Sequence, residues 1–271
     1  SVESASAAVR LGVSDYLSKP FERDELVAAV ERMLEREAAE RREPDQAAGG
    51  YVEPVTTADP RRLGEPQLHV VVCVKMVPDT TQVKIDPVTN TLVRKDVPFI
   101  TNPFDTRAVE ESLRVKDRYA AHVTVLSMGP PTAEAVLRRA LSLGADEAVL
   151  LSDMAFGGAD TLATSKVLAE AIRRVGQQRA VDLVICGQQT IDGDTAQVGP
   201  GVAEFLGWPV VTYVRKIEID GHKAKIERVF EDGFERIEVP LPAVVTAVKE
   251  MNVPRMASLK GRMRAKKAEI R

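Results

Sequence analysis

Aromatic side chains are scarce in this chain: one tryptophan, four tyrosines and seven phenylalanines make up 4% of its 271 residues. Stacking platforms for bases are therefore few, and a net charge of −3 offers no basic field to a nucleic-acid backbone. No nucleic-acid partner is expected. Cysteine is scarcer still. Cys73 and Cys186 each sit in a strand-like apolar run, so they read as buried thiols of a reducing compartment rather than as a disulfide or a metal pair. The histidines His69, His122 and His222 are scattered and share no metal-ligand spacing. No apolar run approaches the length of a bilayer span, and the first residues carry no apolar core of a secretion signal. The expectation is a cytoplasmic protein with no direct membrane insertion.

What the chain does have is a regular alternation of apolar runs and amphipathic stretches from Leu68 onward. His69 to Lys75 is a continuous apolar strand of the kind buried on both faces of a parallel sheet. Met76 to Thr101 reads as an excursion containing a hairpin, and Asn102-Pro103-Phe104-Asp105 opens a helix to about Arg118. Further strands are expected at 123–127, 148–151 and 182–186, with a helix capped by Thr132 running to Leu143 and another over 160–175. Strands and helices at these spacings predict an α/β fold with an open, mostly parallel sheet flanked by helices. After Pro209 the pattern turns β-like, and Asp220-Gly221 and Asp232-Gly233 mark hairpin turns. The last stretch, Asn252 to Arg271, is a basic C-terminal arm with little core of its own.

The most informative stretch is Cys186 to Pro200. A short apolar run stops at Gly187; Gln188, Gln189, Thr190, Ile191, Asp192, Gly193, Asp194 and Thr195 follow, and a helix is expected from Ala196. At the carboxyl edge of a parallel sheet such a strand-loop-helix junction is where ligands bind, and the helix start attracts a phosphate. Gly193 lets main chain approach an anion, and Thr195 caps the helix or donates a hydroxyl. Asp192 and Asp194 as plain turn formers fit the loop equally well when it is taken alone.

Residues 1–37 differ. Gly12 to Phe21, followed by Asp24-Glu25-Leu26, resembles the last strand and helix of a response-regulator receiver domain, with Lys19-Pro20 at the characteristic place. The strands that would carry a phosphoacceptor are not in the segment, so phosphosignalling is not expected. Residues 38–67, rich in Pro, Gly, Ala and Thr after a charged start, read as a linker. The third expected unit is 68–271.

Three places in that unit resemble the beta subunit of electron transfer flavoproteins. The first is Val74-Lys75 with Asn102-Pro103-Phe104-Asp105 and Ala108-Val109-Glu110-Glu111; the second is the Gly187-to-Gly199 loop. The third combines Ile226-Glu227-Arg228, Glu231-Asp232-Gly233, Pro242-Ala243-Val244-Val245-Thr246, Asn252-Val253-Pro254-Arg255 and Lys266-Lys267. The resemblance implies that a nucleotide's adenosine lies against Cys73, Asn102, Pro103, Phe104, Asp105 and Met128. Its phosphates would follow Gly187, Gln188, Gln189, Thr190, Ile191, Asp192, Gly193, Asp194, Thr195, Ala196, Gln197 and Val198. For Cys73 and Met128, plain core packing is an equally good account.

Family members that only carry electrons hold AMP and show an acidic residue where Gly193 stands, followed by Cys-Asn-Gln. Here the loop reads Asp192-Gly193-Asp194-Thr195-Ala196-Gln197, which resembles the electron-bifurcating branch, where FAD replaces AMP. Glycine removes bulk and charge beside a diphosphate, and a threonine adds a neutral donor. The resemblance implies a heterodimer with an alpha subunit carrying its own FAD. NADH would be the electron donor, with one branch to ferredoxin or flavodoxin and the other to an acyl-CoA-type dehydrogenase or quinone oxidoreductase. No residue is expected to act as acid, base or nucleophile. Arg255, Leu259 and Arg264 fall in the partner-recognition segment, although charge alone would make it a solvated basic tail. Two alternatives stand beside this reading: a simple carrier with structural AMP, and a non-redox adenine-nucleotide-binding regulatory module.

Overall fold

The computed structural model describes residues 68–79, 84–85, 92–93 and 98–271; the receiver-like segment 1–37 and the linker 38–67 lie outside the described residues. Strand β1 (His69–Cys73) is buried along its whole length. The excursion after it holds β2 (Met76–Pro78), β3 (Lys84–Ile85), β4 (Leu92–Val93) and β5 (Phe99–Thr101), with β2 antiparallel to β5 and β3 antiparallel to β4. The expected hairpin is there.

Helix α1 (Pro103–Tyr119) starts on a proline, whose fixed φ suits a first helical turn, and ends at Ala120 in the left-handed conformation (φ 53°). Strand β6 (His122–Met128) follows. The expected Thr132 cap is replaced by something tighter: Pro131–Ala133 forms a 3-10 turn, and α2 (Glu134–Leu143) begins after it without a side-chain cap. Pro131 starts that turn one residue early, which puts Thr132 inside it. Next come β7 (Glu147–Leu151), α3 (Thr161–Gly176), β8 (Leu183–Gly187) and α4 (Val198–Leu206). Asp160 caps α3 by accepting the Ala163 N–H at 2.8 Å. The chain closes with β9 (Val210–Asp220), β10 (Lys223–Phe230), β11 (Gly233–Pro240), β12 (Ala243–Ala247) and α5 (Leu259–Lys267).

One sheet takes eight of these strands in the order β11-β10-β9-β12-β8-β1-β6-β7. Every pairing from β9 across to β7 is parallel, and the β9-β10-β11 ribbon at the far edge is antiparallel. Side chains alternate between two cores. Val70, Val72 and Val74 join α1 and α2 on one face, while Val71 and Cys73 join Leu168 and Ile172 of α3 and Val202 of α4 on the other. From β1 the chain steps outward to β6 and β7, then returns to the opposite side of β1 with β8. That reversal opens a crevice at the carboxyl ends of β1 and β8.

The basic arm lies along the body. Arg138 donates to Ala265 O at 2.5 Å, Arg264 donates to Leu141 O and Ala145 O at 3.0 and 3.1 Å, and the main chain of Arg271 bonds both Ala148 and Leu150 of β7. Only Ala265 of α5 is buried, so arginines meeting helix-end carbonyls and the Arg271 main chain on β7 share its anchorage with Ala268 and Ile270, which pack against the core.

Candidate nucleotide-binding site

The crevice is a cavity of about 920 Å3. Its floor is made by the ends of β1, β6 and β8, where Cys73, Met128 and Cys186 face it, and one wall is the loop from Gly187 to the start of α4. The two thiols touch on adjacent strands. That contact, with burial, holds Cys186 well above the ordinary thiol range, so it is a neutral lining group rather than a nucleophile.

Gly187 has no room for a side chain. A Cβ there would stand 2.8 Å from Phe104 Cβ and 2.9 Å from Asp105 N. The tightness comes from Asp105, a buried carboxyl in the first turn of α1 that accepts the Lys75 main-chain N–H at 2.7 Å and also that of Gly187. Burial drives its pKa up to about 7, against the pull of hydrogen bonds from Asn102, Lys75 and Gly187. Asn102, fully buried at the end of β5, donates to Gln189 O at 2.8 Å and accepts from Ile191 N at 3.3 Å. It holds the loop from behind.

Beyond Asn102 the loop makes a turn over 191–193, and Asp194 N donates to Thr190 O at 2.8 Å. Asp194 and Ala196 are both left-handed (φ 54° and 55°). The expected helix start at Ala196 is therefore displaced: α4 begins at Val198, its N-cap is Gln197, and Thr195 lies too early to cap it. No side chain caps that start. The N–H groups of Val198 and Gly199 therefore have no side-chain cap at the positive end of the helix dipole, where an anion is favoured; Pro200 has no N–H, and Gly201 bonds Gln197 O at 2.9 Å. Gly193 faces only Thr190 Oγ1, at 3.4 Å from a Cβ position, so its lack of a side chain serves the loop surface rather than a strained backbone.

Of the residues singled out from sequence, the cavity is lined by Cys73, Asp105, Met128, Gly187, Gln188, Gln189, Thr190, Gly193, Thr195, Ala196, Gln197 and Val198. Asn102, Pro103, Phe104, Ile191, Asp192 and Asp194 stand behind or outside the lining. Asp192 carries an ion pair to Lys75 (Nζ to Oδ2 2.8 Å); burial alone would raise its pKa, but hydrogen bonds from Lys75 and Thr190 hold it below the usual carboxylate range. Sequence reasoning missed the opposite wall, from Ser152 to Thr161, and Lys75, among the described residues the one cationic side chain lining the cavity. The signal for that wall was available: Gly157-Gly158 follows the carboxyl end of β7, as Gly187 closes β8.

The three expected docking residues are not alike. Arg255 is engaged by Glu110 and Asp117 at 2.9 and 2.8 Å, and Arg264 is spent on the end of α2. Leu259 is 76% exposed, and Val253, Met256 and Met263, near it in sequence, are exposed apolar side chains too.

Residues 89–271 match the electron transfer flavoprotein domain. The chain belongs to the electron transfer flavoprotein family. It is 57% identical over 192 residues, 71% of this chain and 73% of the relative, to the electron transfer flavoprotein subunit beta of Clostridium acetobutylicum. It is 54% identical over 199 residues to the caffeyl-CoA reductase-Etf complex subunit CarD of Acetobacterium woodii, covering 73% of this chain and 75% of that protein. It is 48% identical over 207 residues to protein FixA of Azotobacter vinelandii, 75% and 74% of the two chains. Electron transfer is the family's activity. Among the described residues, no helix is long and apolar enough to cross a membrane and no side-chain cluster is built for a metal.

Proposed function

We propose that residues 68–271 form the beta subunit of an electron-bifurcating electron transfer flavoprotein and bind FAD in the β1/β8 cavity. The observation that carries this reading is the uncapped start of α4 beside a cavity of about 920 Å3. Small-molecule sites span roughly 300–1,000 Å3, so the volume leaves room for a dinucleotide. The neutral Gly193 and Thr195 in the loop point the same way.

FAD bound there would supply hydride and single-electron chemistry. The chain's own residues bind and orient. Main chain from Gly187 to Val198 would follow the pyrophosphate, Asn102 fixes the carbonyl of Gln189 and the N–H of Ile191, and the buried thiols and Met128 give an apolar floor. An alpha subunit with a second FAD would enclose the rest. NADH is the proposed donor, ferredoxin or flavodoxin the low-potential acceptor, and an acyl-CoA-type dehydrogenase or a quinone oxidoreductase the other. The name of the Acetobacterium relative, a subunit of a caffeyl-CoA reductase complex, supports a partner acting on CoA esters. Leu259 and its exposed apolar neighbours are the proposed docking patch.

The test is kinetic. With its alpha subunit and NADH, the protein should reduce ferredoxin only while the high-potential acceptor is also present. NADH oxidation that never reduces ferredoxin under those conditions would leave a simple carrier.

A further inference from the structure

Besides the Gln188 N–H bonded to Ala247 O at 2.9 Å and the contacts of Gln197 and Val198 with α3, three ties on the β1/α1 side fasten the nucleotide loop, and they differ in burial. Asp105 holds the Gly187 and Lys75 N–H groups at the root of the loop, inside the protein. Asn102, fully buried, holds Gln189 and Ile191 one step further out. Neither tie opens without leaving buried polar groups unpaired. The third is the Lys75–Asp192 pair, at 2.9 and 2.8 Å to the two carboxylate oxygens, and it sits at the tip of the loop with side chains 46% and 27% exposed. Water can replace it.

Lys75 is placed for this work by its own main chain. Its N–H is held by Asp105, and its carbonyl accepts the Asn102 N–H at 2.9 Å, so the side chain starts from a fixed point at the end of β1. From there it lines the cavity and reaches over to a carboxylate that does not. We propose that Lys75 is a positioning residue: its ion pair with Asp192 latches the tip of the nucleotide loop against β1 and sets how long a bound nucleotide stays. This rests on the nucleotide-binding reading above and adds to it how the site opens. A half-exposed pair is weak and salt-sensitive, which suits a latch that must release.

The experiment follows FAD release by fluorescence from the full chain purified with its alpha subunit, in wild type, Lys75→Met, Asp192→Asn, the double variant, and the charge-reversed pair Lys75→Glu with Asp192→Lys. A parallel arm uses AMP as the probe. At low salt each single variant should release nucleotide roughly three- to fivefold faster, the size expected of an exposed pair. The double variant should be no faster than either single, and the reversed pair should return to within about twofold of wild type. The wild-type advantage should shrink toward none near about 0.5 M salt. Melting of the nucleotide-free variants should match wild type, which a merely structural tie would not allow.

Unchanged release in both single variants overturns the proposal. So does faster release in Lys75→Met with wild-type or slower release in Asp192→Asn, because the ammonium would then act on the nucleotide itself. Wild-type protein that retains neither FAD nor AMP overturns the functional reading instead, and is told apart by that result.

Discussion

Asp105 accepts the main-chain N–H of Gly187, and its own nitrogen stands 2.9 Å from where a Gly187 Cβ would be. The end of β8 and the start of α1 are therefore in main-chain contact, and the loop springs from a point that cannot shift. Gly187→Ala should cost about 1–3 kcal/mol by overpacking. Nucleotide content should fall with it. Unfolding in denaturant and cofactor extraction check both, and a variant with wild-type stability and content would show that the contact gives way.

The pH dependence of stability should hide two opposed trends. Asp105 titrates at about 7 in the folded chain against an ordinary 3.8, so its protonated form favours folding and the contribution is lost as pH rises from about 4 to 7. The full change is on the order of 4 kcal/mol. His69 is held neutral by burial, its pKa lowered to about 4 from 6.5, so its contribution is absent in acid and grows as pH rises through the same range. Asp105→Asn should remove the first and expose the second as stability climbing between about pH 4 and 6.5. Denaturation series at several pH values read this directly, and coincident profiles for variant and wild type would remove Asp105 as the titrating group.

Leu259→Ala should slow electron delivery to the partner dehydrogenase and leave flavin content unchanged. The side chain is 76% exposed, so folding stability should change by less than about 0.5 kcal/mol. Stopped-flow transfer to the acceptor is the measurement; unaltered rates would take docking away from this patch.

Arg264 should behave in the opposite way. It donates to Leu141 O and Ala145 O, at and just beyond the end of α2. Arg264→Met should lower stability by about 1–3 kcal/mol with electron delivery intact once folded. Thermal unfolding beside the same transfer assay separates the two residues.

Much of this architecture was legible because it depends on local pattern. The valines of β1 announce a strand buried on both faces, and Asp220-Gly221 and Asp232-Gly233 mark turns that the chain makes, with Gly221 at φ 59° and Gly233 at φ 158°. The start of α4 was not legible, since nothing in the identity of Ala196 dictates a left-handed φ; the closed loop imposes it. Side-chain ties across the fold were hidden for a similar reason. Lys75 and Asp192 are 117 residues apart and Arg255 and Glu110 are 145 apart, so only the sheet order makes them neighbours. Of the three docking residues marked from sequence, Leu259 is exposed without a side-chain tie while Arg255 and Arg264 also bond carboxylates and helix-end carbonyls, a difference hidden because a basic residue reads the same whether it meets solvent or a helix end.

The central claim is that the main chain around Gly187–Val198 cradles a dinucleotide. Purifying the chain with its alpha subunit, releasing the cofactors by denaturation and counting them by chromatography tests it most directly. Two FAD per heterodimer and no AMP is the predicted result. One FAD accompanied by one AMP would contradict it.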